Sequence, residues 1–193
     1  MQKEKWASSV ILIDADHIDN VAFDLIVNFE RMLGRRISNA DLCHWLDCIA
    51  LDGGLRPGDN DIQVHFLHSK EHDRLKYFQP SIFKEDINGL SFTDKIGTFN
   101  LFAFPVEEVV SMDEFFLQSL TMLADAKEIK QLMVIGDTQA YGEQMKQICS
   151  QTDGKDITLY SMVPLTGRGF QQEILGYSLM SALGISADEL SNK

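Results

Sequence analysis

The sequence predicts an α/β protein of three layers, α/β/α, built on an open and mainly parallel five-stranded sheet. Three observations carry that expectation. Strand-length apolar runs alternate with segments of helical periodicity, the pattern of parallel strands joined by helical crossovers. The first run, residues 10–13, is apolar without alternation, as a strand buried on both faces must be. Two of the runs also end in carboxylates, "VILIDADHID" at Asp14 and "QLMVIGD" at Asp137. Such a fold keeps its ligand crevice there, beyond the carboxyl ends of the strands.

The elements follow in order. After the first strand, Val21, Leu25, Ile26, Phe29, Met32 and Leu33 recur at helical spacing as one apolar stripe, which Gly34 closes. Ser38 followed by Asp41 marks a second helix start. Its buried face is Leu42, Trp45, Leu46 and Ile49, and "LDGGLRPGDN" ends it with glycine and proline breakers. Residues 62–67 form the second strand, with Ile62, Val64 and Phe66 alternating against Gln63 and His65. Residues 69–96 hold no sustained period and read as short helical turns and loop, a candidate lid or insertion. "TFNLFAFPV" is the third strand. Ser111 and Glu114 make an S-x-x-E capping box ahead of a helix faced by Phe115, Phe116, Leu120, Leu123 and Ile129. Residues 132–135 are the fourth strand and residues 141–150 the next helix. A fifth strand in "DITLYSMVP", a "LTGRG" turn and a last helix over residues 170–183 complete the chain.

Composition bounds the rest. A chain of 193 residues suits one domain over residues 1–193 with a core of its own. No apolar run approaches the roughly 18 residues of a membrane span. The opening "MQKEKWASSV" lacks the apolar centre of a signal peptide, so a cytoplasmic protein with no membrane partner is expected. Its 3 cysteines form no CxxC pair and suggest neither a disulfide framework nor a zinc site. A net charge of −12 argues against coating nucleic acid by bulk electrostatics and favours a protein partner or self-association over RNA. A local basic rim from Arg31, Arg35 and Arg36, joined through folding by Arg56, Lys70, Arg74, Lys76 and Arg168, is compatible with that total. Scattered solubilising charge explains the same residues.

Where Asp14 and Asp137 end neighbouring strands, their repulsion either raises a pKa or is reversed by a hard divalent cation, Mg2+ or Mn2+, which takes oxygen ligands. Asp113, in the first turn of its helix, is the candidate third ligand, although the helix dipole alone favours an acid there. Asp16 and Asp19 serve equally as caps of the helix that follows them. His17 stands beside the acids and is the histidine best placed to touch a substrate. His65 and His68 point to opposite faces of their strand, and His44 and His72 have no company. The "LTGRG" turn offers backbone N–H groups and the Arg168 guanidinium to a phosphate, but glycines are common in such turns without any ligand.

With "ILIDADHID" opening the chain, Asp113 opening a middle helix and "LMVIGDTQAYGEQM" on the fourth strand, the sequence resembles the NYN domains of the PIN-like ribonucleases. That family begins with a strand ending in Asp and an Asn shortly after, carries an Asp ahead of a central helix, and later a strand ending S-G-D-x-D-F. Asp14 matches the first acid, Asp113 the middle one and Asp137 the Asp that follows Gly. The order of elements covers nearly the whole chain, though few residues carry the match. His17 stands for the Asn, Ile135 for the Ser, Gln139 for the second Asp and Ala140 for the Phe.

The resemblance implies a PIN-like sheet order 3-2-1-4-5 and an endoribonuclease with Asp14, Asp113 and Asp137 as catalytic residues. It further implies a Mg2+ or Mn2+ ion on Asp14, Asp137 and Asp113, with Asp16 behind them or as a further ligand, orienting a water for in-line attack on an RNA phosphodiester; the placement of His17 and of Arg168, read from the residues themselves, would turn both toward the substrate. The missing carboxylate weakens the hold on a cation, so a degenerate, non-cutting member is implied as well. Two other readings stand beside it. One is a PIN-like scaffold that binds a protein or nucleic acid without cutting. The other is a phosphatase of the haloacid dehalogenase type, with Asp14 as nucleophile, Asp16 as general acid and the Gly136–Asp137 pair as its last metal motif. "HIDN" after the first acids and Tyr141 in place of a final Asp depart from that last pattern.

Overall fold

The central strand shows why the opening run is apolar throughout. In the computed structural model, which describes residues 6–192, β1 (Ser9–Asp14) is buried along its whole length. Its alternate side chains enter two separate cores, Ile11 and Ile13 one, Val10 and Leu12 the other. Helices therefore flank the sheet on both sides. α1 (Ala15–Leu33), α2 (Leu42–Asp52) and α5 (Leu175–Ala182) contribute Ile18, Trp45 and Leu179 to the first core. α3 (Met112–Asp125) and α4 (Thr138–Ser150) contribute Phe116, Leu120 and Met145 to the second. Each such large side chain, fully buried, stabilises the fold by about 1.5–3 kcal/mol.

Among the described residues the sheet has seven strands rather than the five expected. Besides β1 they are β3 (Asn60–His68), β5 (Ser91–Thr93), β6 (Gly97–Pro105), β7 (Gln131–Ile135), β8 (Asp156–Ser161) and β9 (Gln171–Ile174). Their order is β5-β6-β3-β1-β7-β8-β9, with β5 alone antiparallel. The five strands read from the sequence stand in the order 3-2-1-4-5 within it. The additional edges were not legible as strands. β9 is Gln-Gln-Glu-Ile, polar where a buried strand is apolar, and it pairs with β8 from Thr158 to Ser161. The last helix accordingly starts at Leu175 instead of residue 170.

Residues 69–96 form a packed insertion. Their two-residue strand β4 (Phe78–Gln79) pairs in parallel with β2 (Ala40–Asp41), and a π-helical turn follows at Phe83–Ile87. Leu75, Phe78, Phe83, Ile87 and Ile96 are buried in the first core. A short α6 (Ala187–Ser191) ends the fold with a capping box from Ser186 to Glu189.

Local signals behave as their chemistry requires. Gly34 closes α1 in the left-handed conformation, φ 66°, and its N–H reaches Glu30 O. The Ser111–Glu114 capping box forms. The cap of α2 is Asp41, which accepts from His44 N–H at 3.1 Å, rather than a box begun by Ser38. Among the described residues no helix is long and apolar enough to cross a membrane.

Candidate functional site

Strands β1 and β7 run side by side, Ile13 opposite Ile135, so Asp14 and the Gly136–Asp137 pair leave the sheet at the same edge. Both acids are helix caps. Asp14 starts α1 and its Oδ1 accepts the His17 N–H at 3.0 Å. Asp137 starts α4 and its Oδ1 accepts the N–H groups of Gln139 and Ala140, each at 3.1 Å. An apolar strand that turns directly into a helix leaves orphan N–H groups at the junction, and a carboxylate there satisfies them. Capping alone thus accounts for the acid at each strand end. The cap of α1 is Asp14, not Asp16 or Asp19.

Asp14 is 3% exposed. Its second oxygen accepts a 2.7 Å hydrogen bond from the Tyr141 hydroxyl. Tyr141 is buried, and its backbone is non-helical inside α4, φ −140° and ψ 25°. The Phe116 ring packs against it with centroids 5.1 Å apart. The same ring lies over Gly136, where a Cβ would sit 2.9 Å from it. Burial pushes the Asp14 carboxyl above the usual carboxylate range, while the bonds from Tyr141 and His17 pull it back. Burial first, and then the charge of Asp14, push the Tyr141 phenol well above its ordinary value, so it remains a donor. His17 completes the cluster, since its Nδ1 lies 3.8 Å from Asp137 Oδ2. One notch therefore holds Asp14, His17, Asp137 and Tyr141.

The other candidates are placed differently. Asp16 accepts the Ser69 N–H at 3.1 Å through Oδ2, and its Oδ1 lies 3.0 Å from His72 Nδ1. Asp19 accepts the N–H groups of Lys76 and Tyr77, both at 2.9 Å, and burial raises its pKa. These two acids fasten the insertion to α1. Asp113 is exposed in the first turn of α3, one turn before Phe116, and among the described residues no hydrogen bond or ion pair joins it to Asp14 or Asp137. Arg168 lines a separate depression of about 490 Å³ with Lys146 and Thr166 beside α4. His68 stacks on Phe83 at 4.0 Å on one face of β3, and His65 sits among Trp6, Phe102 and Phe104 on the other. His44 and His72 do have company, Ser181 Oγ at 2.8 Å and Asp16 at 3.0 Å.

As placed, these carboxylates fit a divalent cation poorly. Both Asp14 oxygens and Asp137 Oδ1 already accept protein donors. Asp16 is engaged by the insertion. Among the described residues no three His, Cys, Asp or Glu side chains are grouped to hold a metal ion. What the notch offers chemically is a buried acid held by a phenol and by the His17 backbone N–H, with the His17 imidazole beside a second acid. Tyr141 was not singled out as a site residue by the sequence. The available signal was a hydroxyl-bearing aromatic four residues after a strand-end Asp, in the first turn of the helix.

A family model described as a family of unknown function, DUF6621, matches residues 3–190 of the chain. No curated protein and no solved structure matches it.

Proposed function

The chain belongs to this family of unknown function, DUF6621, and we propose that it is a PIN-like domain of the NYN type that binds a protein partner, or a second copy of itself, without cutting phosphodiesters. The observation that carries this reading is the Tyr141 hydroxyl on Asp14 Oδ2 at 2.7 Å. In a cation-dependent nuclease of this kind the first acid is a metal ligand; here a phenol sits on one of its oxygens and a backbone N–H on the other, so a cation would compete with both donors. Gln139 in place of the second acid of the last motif points the same way. The strand order 3-2-1-4-5 and the position of the notch support PIN-like membership. The net charge of −12 favours a basic protein surface over RNA.

Incubation of the purified chain with single-stranded RNA and Mn2+ tests the reading. Intact RNA is expected, with no saturable Mn2+ heat in a calorimetric titration. Cleavage that Asp14→Asn abolishes overturns it. Sedimentation over a tenfold range of protein concentration reads whether the partner is a second copy.

One observation favours a second reading, a Mg2+- or Mn2+-dependent endoribonuclease: His17 touches both Asp14 and Asp137, so the two acids do share one notch. The same cleavage assay separates the two. A phosphatase of the haloacid dehalogenase type is less well supported, because its nucleophile would be Asp14, with both oxygens engaged, and its general acid Asp16, tied to Ser69 and His72. Hydrolysis of p-nitrophenyl phosphate, lost in Asp16→Asn, would restore it.

A further inference from the structure

The face of the sheet that carries the second core is covered by α3 and α4, and it holds an aromatic cavity of about 530 Å³ where β3 and β6 meet α3. Trp6, Phe102, Phe104 and Phe115 line it, with His65 among them. That volume is in the range of sites for drug-sized molecules, which are apolar with few polar groups. The rings are set at varied angles. His65 meets Trp6 at 37° and 5.8 Å, and Phe102 at 75° and 5.7 Å, so both ring faces and ring edges are presented to the space between them.

His65 is the unusual member. It is 7% exposed, and among the described residues no hydrogen bond reaches either of its ring nitrogens. Its ring nitrogens keep some accessible surface, and His65 lines the cavity, so a guest there can meet them. Burial holds its pKa down to about 4, so at neutral pH the imidazole is uncharged and offers one donor and one acceptor. Among the described residues that line the cavity, none carries a formal charge at that pH. In a molecule of net charge −12, an anionic guest finds no counter-charge among those described residues.

We propose that this cavity is a binding site for a flat, uncharged aromatic molecule that stacks among Trp6, Phe102 and Phe104 and hydrogen-bonds to His65. None of its described lining residues is among Asp14, His17, Asp137 and Tyr141, and the proposal does not rest on the reading given to that notch.

The probe is 2-naphthol, uncharged at neutral pH and bearing one hydroxyl, with 2-naphthoate as its anionic counterpart. Titration is followed by calorimetry and by tryptophan fluorescence; Trp45 is fully buried in the first core, which leaves Trp6 to report on the cavity. Saturable one-to-one binding with Kd below about 1 mM is expected, with 2-naphthoate at least about tenfold weaker. His65→Phe keeps the aromatic wall and is expected to lose about tenfold in affinity for 2-naphthol. Ser119→Trp, on the α3 side of the cavity, fills the space and is expected to abolish binding without lowering the melting temperature. Should that variant fail to fold, Phe104→Ser, at a half-exposed ring, is expected to show the same loss. Absence of saturable binding up to about 1 mM, or equal binding of 2-naphthoate, or binding that survives Ser119→Trp, overturns the proposal. So does a dimer that Ser119→Trp dissociates, which would assign this face to a second copy of the chain.

Discussion

The Tyr141 hydroxyl donates a 2.7 Å hydrogen bond to Asp14 Oδ2 across 127 residues of sequence, and Tyr141 is the residue at which α4 departs from helical backbone. The departure and the bond belong together. A regular first turn would carry the side chain round the helix with its neighbours, whereas φ −140° at Tyr141 lets the ring turn into the second core against Phe116 and reach the end of β1. One bond thereby joins the cap of α1 to the start of α4, and any group that binds Asp14 Oδ2 must share it with the phenol.

Removing that donor leaves a buried acid short of a partner. Tyr141→Phe is expected to destabilise the fold by about 1–3 kcal/mol at neutral pH, the cost of a buried group stripped of its hydrogen bond. The Asp14 pKa, already raised by burial, loses the largest influence that lowers it. A carboxyl whose folded pKa is raised contributes stability that is present at low pH and lost as pH rises through that pKa. The loss caused by Tyr141→Phe should therefore shrink on acidification. Urea denaturation of both proteins at neutral and acid pH measures it, and equal stabilities at neutral pH would show that the bond contributes nothing.

Asp137 separates capping from cation binding. Asp137→Asn retains an oxygen for the Gln139 and Ala140 N–H groups and is expected to change stability by no more than about 0.5 kcal/mol, whereas Asp137→Ala costs about 1 kcal/mol. A metal site would rank them otherwise, since both variants delete the charge. Thermal melts with and without added Mn2+ give the comparison. A melting temperature that Mn2+ raises in the native protein and not in Asp137→Asn would contradict the capping account.

The residues that could be read in advance were those whose signal is local. The apolar run before Asp14 announced a doubly buried strand, Gly34 a helix end, and Ser111 with Glu114 a capping box, because each pattern lies within one turn or one strand. The anchoring of the insertion was not local. Asp16 and Asp19 bind Ser69, Lys76 and Tyr77 over separations of 53 to 58 residues, so in the sequence they were indistinguishable from caps of α1. Strand β9 escaped because an edge strand of Gln171, Gln172 and Glu173 needs no buried face. Asp14 and Asp137 were readable as a meeting pair from the strand order, but the phenol that fills the notch depends on a backbone departure no periodicity announces.

Gly136 lies between the strand end and its acid, and a side chain there has nowhere to go. An added Cβ would meet the Phe116 ring at 2.9 Å and Met145 Sδ at 3.0 Å, both in the second core. Gly136→Ala is expected to cost about 1–3 kcal/mol, as overpacking of a filled core does. Because Phe116 also supports Tyr141, the variant should loosen the notch as well. Hydrogen exchange at the His17 and Ala140 amides, the donors to Asp14 and Asp137, should quicken. Unchanged exchange together with unchanged stability would mean that the ring moves aside freely.

The pH dependence of the native protein should carry the mark of a second acid pair, far from the notch in sequence. Asp47 of α2 stands beside Asp94, whose side chain accepts the Ile96 N–H at 2.8 Å in the turn between β5 and β6. Asp47 Oδ1 is buried and meets no protein donor among the described residues, so a bond to Asp94 requires a proton on one of the two acids. Burial, and then the hydrogen bond and charge of Asp94, push the Asp47 carboxyl up to about 7, with Lys95 opposing. In the folded state it keeps a proton that the unfolded chain, titrating at the ordinary carboxylate value of about 3.8, releases. The stabilisation is thus complete below that value and is lost as pH rises through about 7. Asp47 is only partly buried, so solvent screening keeps the effect small, about 1–3 °C in Tm. Asp47→Asn supplies a permanent donor to Asp94 in place of the titrating proton. Its Tm should exceed the native value on the alkaline side of this transition and match it on the acid side. Parallel Tm-against-pH curves for the two proteins would refute the shared proton.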